Sequence, residues 1–431
     1  MSILRSLNTG AAGIRAHSDA LSVVGDNIAN VNTIGFKRSR AVFEDMLGRS
    51  IAGASAMPQA GAGSRLGHIQ QMWSQGALMT TESPTDLALS GNGFFVVKGN
   101  VGGVDGDFYT RAGQFHVDSN GYLVNADGMR LQGYPADATG ALSPTMGDMQ
   151  VQGGTIPAQP TSNVTMGANL DADATVPPAW DPADPAGTSN FSTNVTVYDS
   201  LGNSHDVTVY FRKSASNSWE WHAMVDGGEL TGGTAGTPTE GASGTIAFTT
   251  SGALDTEATT SSAWSFADAA AGQSIAFDFG DSVTTDGGTG LSGTTQFASP
   301  SAVNALSQDG FAAGAVAGID IGADGTVTGI FTNGQRRTLG QVAIADFASV
   351  EGLGRAGNGL WAQTQASGEP LVGAAGSGGR GSIVSGALEG SNVDLAQEFV
   401  DLIAYQRGFS ASSKVITTAD EMYSELVNLK R

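Results

Sequence analysis

The fold class predicted by the 431-residue sequence is multidomain: N- and C-terminal α-helices that pair as a coiled coil, with all-β middle domains between them. Three observations predict it. Apolar residues recur every seven positions at both ends, all 13 prolines lie between Pro58 and Pro370, and the middle is dense in Gly, Thr, Ser and Val in short alternating runs.

At the N-terminus Leu7, Ile14, Leu21 and Ile28 form one seam, with Val24 and Val31 beside it. Gly10, Gly13 and Gly25 lie in the same stretch, each costing a helix about 1 kcal/mol relative to Ala, so this segment is expected to become helical only on association. At the C-terminus Leu395, Leu402, Phe409, Ile416 and Tyr423 form a second seam, thickened by Val400, Ile403, Ala419 and Leu426. Ser391 followed by Asp394 fits a capping box and starts the helix there. From about residue 392 to 428 that helix would be roughly 55 Å long, more than one small domain can bury. It needs a partner of similar length, which the N-terminal seam supplies; the alternative is that both stripes pack on the protein's own core.

Between the ends, GFFVVKG (93–99) reads as a buried strand. Asn120-Gly121, Asp127-Gly128, Leu201-Gly202-Asn203 and Asn333-Gly334 mark hairpin turns where positive φ is needed. No helical period interrupts these runs, which argues against parallel βαβ units. Six prolines crowd into Pro157 to Pro185, where DADATVPPAWDPADPAG reads as linker.

Net charge is −21, and it is unevenly placed. Residues 1–70 hold seven basic and four acidic side chains and residues 380–431 five and seven, leaving 8 basic against 30 acidic in the middle. So acidic a middle repels nucleic acid and anionic lipid and is the solvated part of the chain. There is no cysteine, hence no disulfide, thiolate metal site or thiol nucleophile. No apolar run is long enough to span a membrane. A cleaved secretory leader is not expected, because Arg5 and Arg15 interrupt the first apolar stretch.

Covalent chemistry finds no site. GLGRAG (352–357) matches a dinucleotide fingerprint, but Asn-Gly follows where a helix should start. No Gly-Lys dipeptide exists for a phosphate loop, and the five histidines lack metal-ligand spacing. Asp171 with Asp173, and Asp181 with Asp184, read as solvated loop charges in the linker. Trp219 and Trp221 share one face of a strand and suit a core or interface better than a sugar site. No catalytic, cofactor-binding or metal-binding residue is assigned; a structural protein is the natural class.

The stretch 9–40, chiefly Asn27-Ile28-Ala29-Asn30 and Thr33-Ile34-Gly35-Phe36-Lys37, resembles the signature of the bacterial flagellar rod and hook proteins. The C-terminal Ser391-Asn392-Val393-Asp394-Leu395, Gln406-Arg407 and Thr418-Ala419-Asp420-Glu421-Met422 resemble the end of the same axial family, as do GNGFFVV, YTRAGQFHVDSNGYLVN and LGQVAIADFASVEGL in the middle. The region from about 165 to 300, with NVTVYDSLGNSHDVTVYFRK, is similar to the outer domain of hook-type members. The resemblance implies six segments: 1–32 an N-terminal helix of an inner-tube domain, 33–70 a connector, 71–160 the first part of an inner β domain, 161–296 an outer β domain, 297–380 the second inner part, and 381–431 the C-terminal helix.

It further implies a non-enzymatic, cofactor-free subunit that polymerises with itself into a flexible curved tube, transmitting torque from motor to filament as a universal joint. The heptad residues named above would be the subunit-packing positions. Implied partners are the distal rod, the hook cap, the hook–filament junction proteins and the type III export gate, with neither nucleic acid nor membrane insertion. Location would be extracellular, in the hook and basal body, after export with an uncleaved N-terminus. Phe43 and Leu47 resemble a short gate-recognition motif and equally suit a core strand. The competing readings are a distal rod-type protein with an inserted domain, a secreted β-rich adhesin exposing tryptophans, and a wall-cleaving enzyme, for which no candidate Glu is found.

Overall fold

The computed structural model describes residues 3–47, 61–151 and 155–428. The chain divides into two compact units, Met1–Gly153 with Ala317–Ile330 and Arg336–Arg431, and Gly154–Val316 with Phe331–Gln335.

The first unit carries both long helices, α1 (Ile3–Ala29) and α2 (Leu395–Asn428). Asp394 caps α2, its Oδ1 accepting the N–H groups of Ala396 at 2.8 Å and Gln397 at 3.3 Å. The capping box expected at Ser391 therefore does not form. Residues 391–393 are held outside the helix because Asn392 bonds elsewhere, accepting from the Arg38 amide at 2.6 Å and donating to the Met72 carbonyl at 2.7 Å. The segment 33–70, expected as a connector, contains strands β1 (Ser39–Leu47) and β2 (Gly61–Gln71), paired antiparallel from Ser39 opposite Gln71 to Leu47 opposite Gly61. Local pattern missed this ribbon because its faces mix charged and apolar residues; its stability comes from packing against α1. Residues 48–60 lie outside the described part.

The β body of this unit is built on a 12-stranded sheet whose longest path runs through Val316–Ile321, Thr326–Phe331, Arg336–Asp346, Arg130–Pro135, Phe94–Val101, Val104–Thr110, Leu360–Ala362 and Gly354–Gly357. The run Phe94-Phe95-Val96-Val97 is apolar without alternation because both of its faces are covered. Phe95 and Val97 join Leu87, Leu123 and Val342 on one side; Phe94 and Val96 join Tyr109, Phe347 and Trp361 on the other. Gly121, Gly128 and Gly334 take positive φ at the expected turns. GLGRAG forms a short 3₁₀ turn and a strand, with no helix after it.

The second unit is built on a five-stranded antiparallel meander, Phe191–Tyr198, Ser204–Ala215, Ser218–Asp226, Pro238–Phe248 and Leu254–Ser262, in chain order. Asp199 shapes the first hairpin, its Oδ1 accepting from the amides of Leu201 and Asn203 at 2.8 and 2.9 Å while Gly202 takes φ of 87°. A second sheet places Asn163–Asn169 between Ala276–Asp278 and Ala302–Gln308. Trp219, Trp221, Trp264, Phe211, Phe266 and Phe279 are fully buried between them. The unit thus begins at 154 and reaches 316, beyond the boundaries at 161 and 296 that the resemblance implies, because strand pairing between residues 133 to 144 apart leaves no local signal.

The proline-rich stretch is not a linker. It lies along the meander as a strap: Lys213 Nζ donates to the carbonyls of Ala172 and Ala174, Arg212 Nε donates to Pro178, and Trp180 stacks on His222 with centroids 3.9 Å apart. Composition suggested mobility, but aromatic stacking and donors from the strands fix the chain here. Asp171, Asp181 and Asp184 each cap a local turn through backbone amides.

Replacing Trp219, whose Nε1 donates to Gln296 at 3.1 Å inside this core, removes the largest class of buried side chain in the unit. Trp219→Ala is expected to cost about 3–5 kcal/mol, read as a lower urea midpoint at unchanged slope. An unmoved midpoint would contradict the core assignment.

Candidate assembly site

α1 and α2 lie antiparallel within one chain, and the contact is made by small residues. A Cβ on Gly10 would lie 2.8 Å from Ile416 Cγ1, one on Gly13 2.7 Å from Ser412 Oγ, and one on Gly408 2.5 Å from the His17 ring. The glycines that weaken the isolated α1 segment are the positions that let α2 approach. This corrects the expectation that the N-terminal segment becomes helical only among neighbouring copies: its partner is in its own chain.

The heptad stripes also sit round the helix from this contact. Toward α1, α2 turns Glu398, Tyr405 and Ser412, with Ala419 buried on the same stripe. Leu402 and Ile416 are half-buried at its edge, whereas Leu395, Phe409 and Tyr423 are exposed. On α1 the buried apolar side chains are Ala16, Ala20, Val23 and Val24, and Leu7, Ile14, Leu21 and Ile28 are half-buried. Periodicity selects the largest apolar residues, but close helix approach selects the smallest. Leu7, Ile14, Leu21, Ile28 and the α2 stripe are left with surface for a further partner.

At the head of the helix pair the two chain ends lock through buried polar groups. Asn27, 1% exposed, receives the Ser39 amide at 2.8 Å and donates to the Ser39 carbonyl at 2.7 Å and to Glu398 at 3.0 Å. Arg38 pairs with Glu398 and, at 2.8 Å, with Asp401. Lys37, 2% exposed, meets Glu389 at 2.6 Å and donates to Ser74 O at 2.9 Å; Arg111 meets the other oxygen of Glu389 at 3.2 Å. Burial pushes the Lys37 ammonium down from its usual range, opposed by Glu389 and reinforced by Arg111; burial lowers Arg111 likewise, against the pull of Glu389. Gly35 has φ of 70° and its amide donates to the Glu389 carbonyl at 2.7 Å; a Cβ there would stand 2.5 Å from the Ala112 nitrogen. Only glycine fits.

Of the signature residues, Asn27, Gly35, Phe36 and Lys37 are brought together in this lock. Asn30 and Thr33 instead stay near the surface, Thr33 Oγ1 donating to Asn30 Oδ1 at 3.0 Å. Glu389, Arg111 and Glu398 went unread in the sequence; the one available signal was a lone acid closing the otherwise apolar Ala-Leu-Glu strand. Phe43 stands in a ring cluster, 5.5 Å from His17 and 5.7 Å from Tyr405. The side chain of Leu47 lies outside the described residues.

Among the described residues no group of three or more His, Asp or Glu is arranged to hold a metal ion, and no helix is long and apolar enough to cross a membrane. The chain's built feature is an antiparallel terminal helix pair locked to a β body, with one face of α2 left apolar and open: the design of an assembly subunit. Family models agree along its length. They match a flagella basal body rod protein at residues 7–37, a flagellar hook protein FlgE/F/G D1 domain at 88–176, a flagellar basal body protein FlaE D2 domain at 169–311 and a flagellar basal body rod FlgEFG protein C-terminal region at 384–429. Flagellar hook protein FlgE of Borreliella burgdorferi is 37% identical over 99% of this chain and 100% of its own, and that of Salmonella typhimurium 35% identical over the same shares. A solved flagellar hook protein, FlgE2 of Helicobacter pylori, aligns with a TM-score of 0.49 at 15% identity, covering 71% of this chain and 98% of that one.

The chain belongs to the flagellar hook protein FlgE family, whose members are structural subunits and not enzymes. End-to-end likeness to hook proteins displaces the inserted-rod reading, and the burial of Trp219 and Trp221 removes the evidence an adhesin would have needed.

Glu389→Gln leaves Lys37 and Arg111 buried without a carboxylate between them. Its expected cost is about 3–5 kcal/mol in urea unfolding, since breaking a buried pair strands a charge. A cost no larger than the ~0.5 kcal/mol of a surface change would show that the lock is dispensable.

Proposed function

We propose that this protein polymerises into the flexible, curved hook tube and passes motor torque to the filament as a universal joint. One observation carries the reading: α2, a helix of 34 residues, spends its small face on α1 and leaves Leu395, Phe399, Val400, Ile403 and Tyr423 exposed. Each of these side chains is already about half-buried, so covering the rest against a neighbouring copy is worth about 0.7–1.5 kcal/mol, enough for a polymer contact when several act together. The terminal helices then form the inner tube, and the acidic surface of the second unit, which closes around its own tryptophan core, suits contact with water. Bending requires rows of subunits to shorten and lengthen in each turn, so outer contacts slide while inner ones hold.

The finer partners follow from the same reading: the distal rod below, the cap during growth, the junction proteins above, and the type III export gate. Export leaves the N-terminus uncleaved and delivers the protein outside the cell. Phe43 is half-buried against His17 and Tyr405 in the folded chain, so recognition of Phe43 and Leu47 at the gate favours the unfolded form.

Negative-stain microscopy of concentrated protein tests this. The full chain is expected to give curved tubes, and a chain ending at residue 391 none. Removing 154–316 and rejoining the ends is expected to give tubes that have lost their curvature. Normally curved tubes from that deletion would overturn the sliding role of the second unit.

A further inference from the structure

The outward face of α2 is not uniformly apolar. Val400, Ile403, Arg407, Ser410 and Lys414 recur at spacings of three and four, all exposed, on the side away from α1. Neither Arg407 nor Lys414 has an ion-pair partner among the described residues. On the same unit, α1 and the β1–β2 ribbon bound a groove of about 530 Å³ whose lining includes Asp19, Val23, Asp26, Leu66, Ile69 and Arg355. Its floor is apolar, with Ile69 50% exposed, and its rim carries two exposed carboxylates and the Arg355 guanidinium. Asp19 is unpaired among the described residues; Asp26 meets Arg355 loosely at 3.5 Å.

The two carboxylates are seven residues apart, as are the two cations, so both pairs project from one side of their helices at about 10.5 Å spacing. We propose that the α1–ribbon groove of one copy receives the outward face of α2 from a second copy, with Asp26 against Arg407 and Asp19 against Lys414. The occupant is a second copy of this chain, which rests on the polymer reading above. Copies in one tube share their axial direction, so α1 of one and α2 of the next meet antiparallel, the order these pairs require.

This contact has its own register. Within a chain Gly13 faces Ser412 and His17 faces Gly408. The proposed pairs shift that alignment by eight residues, about 12 Å along the helix axis. The shift carries Ile403 and Val400 to the level of Asn30 and Thr33, the two signature residues that the chain leaves near its own surface. It thereby lays apolar side chains of the second copy over two residues whose hydrogen bonds are already made within the chain, to Asp26 and to each other.

Three full-length variants test the contact by pelleting and negative stain: Asp19→Lys with Asp26→Lys, Arg407→Glu with Lys414→Glu, and all four together. Each double reversal is expected to raise the protein concentration needed for tubes about tenfold or more through like-charge contact, and the fourfold variant to restore it. Circular dichroism of dilute protein checks that the helices persist. Because the chain has no cysteine, Asp19→Cys with Lys414→Cys gives a second measurement that does not depend on charge. Within one chain the two positions are staggered by about 12 Å, beyond disulfide reach, so oxidised tubes are expected to run as a ladder of multimers on a non-reducing gel. Tubes formed normally by both double reversals, or oxidised tubes that run as monomer, would overturn the contact while leaving the polymer reading intact. Absence of tubes from the unaltered chain would overturn the polymer reading and this contact with it.

Discussion

A single buried carboxylate holds the two ends of the chain in one place. Glu389 reaches Lys37 across 352 residues of sequence and Arg111 across 278, with none of the three exposed enough for water to replace a partner. Closing so long a loop is entropically modest, because the cost grows only with the logarithm of length. Leaving one of those charges unmatched is not modest. The lock thus specifies which segments meet more than it adds net stability, and it brings α1, the ribbon and the start of α2 to one junction. Asn27 and Glu398 extend the same arrangement into the helix pair.

That arrangement separates the roles of the two faces of α2. Toward α1 the helix is small and polar, with Gly408 and Ser412 against His17 and Gly13, and this face is satisfied within the chain. Outward it carries bulky apolar residues that no described part of the chain covers. Had the large residues packed inward, the isolated subunit would be more stable and would have little reason to associate.

The elements with a short-range signature were legible in the sequence. Both helices, the strand at 93–99 and the turns at Gly121, Gly128, Gly202 and Gly334 follow from spacing and from the need for positive φ. What stayed hidden is non-local. The face of α2 that meets α1 could not be read, because periodicity marks apolar bulk and the contact depends on its absence. Nor could the role of Glu389, an acid in a three-residue strand whose partners lie hundreds of positions away. The proline-rich strap was misread for a related reason: composition reports what a segment prefers alone, whereas Arg212, Lys213 and His222 on the meander decide where it lies. In the signature, Gly35 was visible as a motif letter, but its necessity follows only from the Ala112 backbone beside it.

A joint that bends while it turns needs contacts of two strengths in one subunit. In the proposed tube, apolar contacts along α2 would resist axial slip, since each half-exposed side chain that is covered contributes about 0.7–1.5 kcal/mol and a shift by one turn exposes several at once. Exposed ion pairs are worth about 0–1 kcal/mol apiece and are weakened by salt, and between surfaces with few cations such pairs are sparse, so these contacts exchange without a large barrier. The charge distribution follows that division, with 8 basic and 30 acidic side chains between residues 71 and 379 and near balance at the ends. Because each compact unit closes its own core, slipping at a polar surface does not require either unit to unfold. On the proposed reading the weak contacts would yield first under strain, leaving torsional load on the helices.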